Sequence, residues 1–133
     1  MQQNEERYDV VIVGAGNAAL AAAVSAKENG ALQVIVLEKA PLEMRGGNTH
    51  WSGGVLRFSF DDPRELEQLL PGVEKKYENF YDGVSPYPKE DYHGDLMRVT
   101  NGRTDKELSQ LLVSNSQDTV KWMHSVGGVE MEP

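Results

Sequence analysis

Apolar positions fall into two short, dense runs near the start of the chain. Tyr8-Asp-Val-Val-Ile-Val13 is rich in β-branched residues and ends at a glycine, and Gln33-Val-Ile-Val-Leu-Glu38 repeats the pattern. Runs that are apolar on both faces read as buried parallel strands. Between them, Leu20-Ala-Ala-Ala-Val-Ser-Ala-Lys-Glu-Asn29 has good helix propensity, and Gly30 is a natural stop just past its end. Strand, glycine turn, helix and strand within roughly 30 residues make a β-α-β unit, with parallel strands and a right-handed crossover expected.

Beyond it the pattern loosens. Ala40 to Gly54 is loop-like, rich in glycine and small polar residues, and Val55-Leu-Arg-Phe-Ser-Phe60 alternates weakly, as a short strand would. Asp61 to Asp95 is acidic, with several prolines and tyrosines. Its one periodic stretch, Pro63-Arg-Glu-Leu-Glu-Gln-Leu-Leu70, reads as a short helix, and the rest as a surface excursion. Thr104-Asp-Lys-Glu107 has the form of a capping box, with the Thr104 hydroxyl accepting from the Glu107 amide. Leu108, Leu111, Leu112, Val120 and Met123 then recur at helical spacing, so a helix should run to about Val126 and stop at Gly127-Gly128. The fold class expected is α/β: a Rossmann-like β-α-β unit with a partial parallel sheet, a loop-rich excursion and a C-terminal helix. The corresponding divisions are residues 1–60, 61–103 and 104–133.

Composition narrows the choice of partners. The chain has 133 residues, 39% hydrophobic and 26% charged, which suits a soluble globular domain. Its net charge of -8 repels nucleic acid and anionic membranes. It has no cysteine, which removes disulfides, thiolate metal sites and a cysteine nucleophile. The polar start Met1 to Arg7 has no signal-peptide form, and the apolar stretch Ala18 to Ala26 is too short to span a bilayer, so a cytoplasmic protein is expected. His93 and His124 lack a second ligand at metal spacing, and no metal site is expected. Arg57, alone in its stretch, reads as a solvated side chain rather than a substrate contact.

Chemistry concentrates in two glycine-bearing segments. Gly14-x-Gly16-x-x-Ala19 lies directly after a strand and opens a helix. Gly14 suits a tight turn, Gly16 leaves room for a pyrophosphate, and Ala19 lets the helix pack closely on the sheet. The helix start adds unpaired N–H groups and partial positive charge. Glu38, about 20 residues further on, is placed to accept both ribose hydroxyls of an adenosine, and its charge disfavours a 2′-phosphate. The second segment is Arg45-Gly-Gly-Asn-Thr-His-Trp-Ser-Gly-Gly54, where backbone amides can approach an anion or a flavin edge and Asn48, Thr49 and Ser52 can add hydrogen bonds. These features specify a nucleotide but leave FAD and NAD open.

The fingerprint, Leu37-Glu-Lys-Ala-Pro41, Gly46-Gly-Asn-Thr and Ser52-Gly-Gly54 together resemble the N-terminus of the fumarate reductase/succinate dehydrogenase flavoprotein superfamily. Within it, Leu96-Met-Arg-Val-Thr-Asn-Gly-Arg-Thr-Asp105 and the following helix most resemble the tricarballylate dehydrogenase group. The resemblance implies FAD as cofactor, with Gly14, Gly16, Asn17 and Ala18 along the pyrophosphate, Glu38 on the adenosine ribose and Lys39 near the adenine. Gly46, Gly47, Asn48, Thr49, Ser52, Gly53 and Gly54 would follow the pyrophosphate, ribityl chain and isoalloxazine. Members with covalent flavin carry a histidine where this chain has Asn48, so non-covalent FAD is expected. The implied reaction is hydride transfer between flavin N5 and a CH–CH bond of a small polycarboxylate, with an electron acceptor left unidentified. Catalytic residues would lie in a later capping domain, beyond this N-terminal piece. An NAD-binding dehydrogenase domain and a truncated, non-catalytic nucleotide-binding module are the alternatives.

Overall fold

The computed structural model describes residues 6–133. The chain divides into two compact units, residues 1–55 and 56–133.

The first unit is the expected β-α-β. Strand β1 (Val10–Val13) leads into helix α1 (Asn17–Glu28) and then strand β2 (Val34–Leu37). The strands pair in parallel, with Val10 opposite Val34 and Val13 opposite Leu37. The Gly14 amide extends the ladder to the Leu37 carbonyl at 2.6 Å. At the other end the Asp9 carboxylate accepts the Leu32 and Gln33 amides at 2.8 and 2.9 Å, which sets where β2 begins.

Helix α1 ends as its sequence dictates. The Gly30 amide reaches the Lys27 carbonyl at 3.1 Å and the Ala31 amide reaches the Ala26 carbonyl at 3.0 Å. This paired closure needs a left-handed residue at its centre, and Gly30 supplies it with φ of 92°. Ala23 and Val24 of α1 line a hollow with Val34 and Val36 of β2. Strand alternation puts Val10 and Ile12, their register partners, on the same side. The opposite side, expected from the apolar runs to be buried as well, is open, because among the described residues no element of this unit is packed on it: Val11, Val13 and Leu37 are 55%, 83% and 48% exposed.

The second unit holds the buried residues. Leu66, Val73 and Tyr81 form a cluster with Phe58, Phe60, Leu70, Phe80 and Val84 packed against it. Short 3-10 helices over Pro63–Gln68, Val73–Lys75 and Phe80–Gly83 supply the three buried members and Phe80. Helices α2 (Lys89–Val99) and α3 (Lys106–Ser125) follow and pack on each other.

Four local expectations need correction. The stretch over 55–60 is no strand; it makes a single antiparallel bridge, Phe60 with Tyr87, because Ser59 is drawn to α3, where its amide and hydroxyl meet Ser116 Oγ at 3.1 and 3.2 Å. The helix over 63–70 is a shorter 3-10 helix, Pro63–Gln68, opened by a capping box between Asp62 and Glu65. The excursion ends in a regular helix, α2, which carries Gly94 and buries only Tyr92, so it has almost no apolar periodicity. The cap of α3 sits one residue later than expected. The Thr104 amide is held by Thr100 Oγ1 at 3.1 Å, and Asp105 caps instead, its Oδ1 accepting the Leu108 amide at 2.9 Å.

Arg57 is not a lone solvated side chain. Its Nη1 donates to Asp95 Oδ2 at 2.8 Å and to the Tyr87 hydroxyl at 3.2 Å, while Arg98 holds the other oxygen of Asp95 at 2.8 Å. This network ties residue 57 to α2.

Candidate functional site

The first unit brings the two glycine-bearing segments together at the start of α1. Gly14 leaves β1 with φ of 100°, a conformation that L side chains rarely adopt, and nothing lies within 4 Å of where its Cβ would be. Backbone geometry therefore requires this glycine, and the space beside it stays open. Gly16 differs. Its φ of -81° is ordinary, but a Cβ there would stand 3.2 Å from the Gly46 carbonyl oxygen and 3.4 Å from Thr49 Oγ1. The room at Gly16, expected from sequence to admit a pyrophosphate, also admits the second glycine segment.

That segment is more ordered than its composition suggests. Gly47–Trp51 forms a 3-10 helix, with Gly46 ahead of it at φ of 104°. Thr49 Oγ1 accepts the Asn17 amide at 3.1 Å, so a threonine 32 residues away serves the first turn of α1 in place of a side-chain cap. The Leu20 amide bonds to the Gly16 carbonyl at 3.0 Å. Among the described residues, the intervening amides of Ala18 and Ala19 have no acceptor, which leaves two donors and the positive end of the helix dipole for an anion. Ser52 folds back on its own segment, donating from its hydroxyl to the Thr49 carbonyl at 2.9 Å and accepting the Gly54 amide at 3.3 Å. Lys39, Gly47, Asn48, Gly53 and Gly54 are exposed. Trp51 stands 74% exposed, its ring 4.9 Å from that of His50.

Glu38 sits at the middle of this arrangement, half-buried at the exit of β2. Its Oε2 accepts the Ala15 amide at 2.9 Å and its Oε1 accepts the Ala40 amide at 2.8 Å. The Ala40 amide is the largest influence holding this carboxyl below its ordinary value. The Ala15, Lys39 and Gly46 backbones pull the same way, against the opposing effect of desolvation. A carboxylate has about four lone-pair sites, and the two close bonds take one on each oxygen. Two acceptors on adjacent oxygens suit a cis-diol. The roles of Ala15 and Ala40 carried no signal in the sequence, because backbone donors leave no mark on residue type.

The arrangement therefore offers anion donors at a helix start, a diol acceptor behind them and a glycine-bearing segment laid across the turn. A dinucleotide fits this donor and acceptor set. Among the described residues no helix is long and apolar enough to cross a membrane.

The chain matches the FAD binding domain family over residues 9–133. It is similar to a fumarate reductase (cytochrome) of Shewanella frigidimarina, at 31% identity over 122 residues, covering 92% of this chain and 18% of that protein. It is similar to a urocanate reductase of Eggerthella lenta, at 31% identity over 125 residues, covering 94% and 18% respectively. An NADH:fumarate oxidoreductase of Klebsiella pneumoniae is 28% identical over 120 residues, covering 90% of this chain and 11% of that protein. The chain thus spans less than a fifth of the length of these curated relatives.

Proposed function

Because the chain belongs to the FAD binding domain family, within the fumarate reductase/succinate dehydrogenase flavoprotein superfamily, we propose that it is the FAD-holding front of an oxidoreductase acting on a CH–CH bond beside a carboxylate. One observation carries the choice of FAD over NAD in the geometry: the 46–51 segment is laid on the helix start, bonded through Thr49 to Asn17. A nicotinamide-reading domain has no use for that segment. A flavin dinucleotide does, since its isoalloxazine half must be held beyond the pyrophosphate.

Each residue then has a task. The amides of Ala18 and Ala19 receive the pyrophosphate, which passes the open side of Gly14 and the strip at Gly16 and Asn17. Glu38 accepts the adenosine ribose hydroxyls, and Lys39 borders the adenine. Gly46, Gly47, Asn48, Thr49, Ser52, Gly53 and Gly54 guide the ribityl chain and the ring without obstructing them. With asparagine at position 48 the flavin is held non-covalently. When bound, FAD supplies the hydride chemistry. This chain's residues bind and orient it, while carboxylate clamps and a proton donor come from elsewhere in the protein.

The substrate class is a small carboxylic acid whose C–C bond next to the carboxylate is oxidised or reduced. Tricarballylate is the specific candidate, with fumarate and urocanate as comparisons. The test is the visible spectrum of the purified intact protein, titrated under reducing and oxidising conditions with these three acids. A flavin spectrum that survives gel filtration but is released on denaturation is expected, with bleaching or recovery on one of the acids. A protein that binds NAD with no flavin, and keeps that binding in Gly47→Ala and Asn48→Ala variants, would overturn the reading.

A further inference from the structure

We propose that Glu38 and Thr49 pre-assemble the nucleotide cradle, so that Glu38 positions the phosphate-binding turn in addition to gripping a ribose. The inference rests on the FAD reading above and deepens it.

Three separate pieces of chain must meet to make the cradle: the turn after β1, the exit of β2 and the 3-10 helix Gly47–Trp51. The sheet ladder ends where the Gly14 amide meets the Leu37 carbonyl. Past that point no strand pairing fixes the turn against the β2 exit. Glu38 replaces it. One carboxylate oxygen holds Ala15 in the turn and the other holds Ala40 beyond the strand, at 2.9 and 2.8 Å. Charge-assisted bonds of this kind are about twice as strong as neutral ones. Thr49 closes the third side through its 3.1 Å bond from the Asn17 amide. The Gly46 carbonyl and Thr49 Oγ1 fill the space that a side chain at position 16 would take. Every donor and acceptor in these bonds belongs to the protein, so the bonds themselves need no nucleotide. The ordering cost of the turn is therefore met before binding, which is how preorganisation raises affinity.

A residue that only grips ribose affects only ligands with a ribose diol. A strut also affects ligands that lack it. The experiment compares FAD with its adenosine 2′,3′-dideoxy analogue on the intact protein, in wild type and Glu38→Gln, as a double-mutant cycle. The glutamine keeps one acceptor but sets an NH2 group against an amide. We expect affinity for the dideoxy analogue to fall on the order of tenfold, in line with losing a bond to a charged group. In the ligand-free protein, amide exchange at Ala15, Ala40 and residues 46–51 should quicken while Val10–Val13 stays protected. Unchanged affinity for the analogue and unchanged exchange would reduce Glu38 to a ribose acceptor and overturn the proposal. Should Glu38→Gln fail to fold, Thr49→Val and Thr49→Ser decide. Exchange at Asn17 and 46–51 should quicken in the valine variant and be restored by the serine. Identical behaviour of both variants and wild type would overturn it. The exchange measurements need no ligand, so they remain decisive even if the protein proves not to bind FAD.

Discussion

Gly14 and Gly16 stand two residues apart and are small for different reasons, which their replacements should separate. Gly14 is required by its φ of 100°, with open space around it. Gly14→Ala should cost about 1–2 kcal/mol of stability from backbone strain alone, read from denaturant midpoints. Gly16→Ala meets no backbone strain but pushes on the Gly46 carbonyl 3.2 Å away. It should leave the midpoint nearly unchanged while loosening residues 46–51, which quicker proteolysis after Arg45 would report. Glu38 should show itself in pH. Its folded carboxyl is held below the ordinary carboxylate value, chiefly by the Ala40 amide. A depressed folded value means that the contribution is complete above the unfolded value and is lost as pH falls through the folded one. Protection at Ala15 and Ala40 should therefore hold through neutral and mildly acidic solution and fade only in acid below the ordinary carboxylate range. An NMR titration following the Glu38 carboxyl and both amides checks direction and window together.

Among the elements, α3 shows how closely cap position depends on neighbours. Thr104 and Asp105 are both good capping residues, and Glu107 stands where a box beginning at Thr104 would want it. Thr100 at the end of α2 decides between them by accepting the Thr104 amide, which leaves the Asp105 carboxylate for Leu108. Asp105→Ala should cost about 1 kcal/mol, and Thr104→Ala clearly less, as measured by chemical denaturation. Equal losses would return the cap to Thr104. Helix α1 makes a complementary point. It buries no residue fully, yet both its ends are held, by the Gly30 closure at one and by Thr49 at the other.

For the whole molecule, burial and the candidate site occupy different units. The proposed FAD contacts lie entirely in residues 1–55, whereas the buried cluster lies in 56–133. Leu66, 8% exposed within that cluster, is a position where truncation should tell. Leu66→Ala should cost about 2–5 kcal/mol, depending on how far the cluster relaxes, with thermal or denaturant unfolding as the measure. The first unit instead has an open apolar sheet face at Val11, Val13 and Leu37. Its site depends on hydrogen bonds more than on buried side chains.

The amino-acid sequence by itself determined the parts that rest on neighbours close along the chain. These are the two β-branched strands, the helix between them, its stop at Gly30, and an acid placed at the end of β2. Periodicity and turn chemistry are local, so single residues announce them. Helix α2 escaped because Gly94 interrupts it and Tyr92 is its one buried residue, leaving too weak a pattern to read. Only the tertiary structure decided that residues 46–51 lie on the start of α1, and that Glu38 joins the turn to the β2 exit. The bonds responsible link Ala15 to Glu38 and Asn17 to Thr49, 23 and 32 residues apart. Each uses a backbone amide as donor, and every residue but proline has one, so residue type could not reveal the pairing.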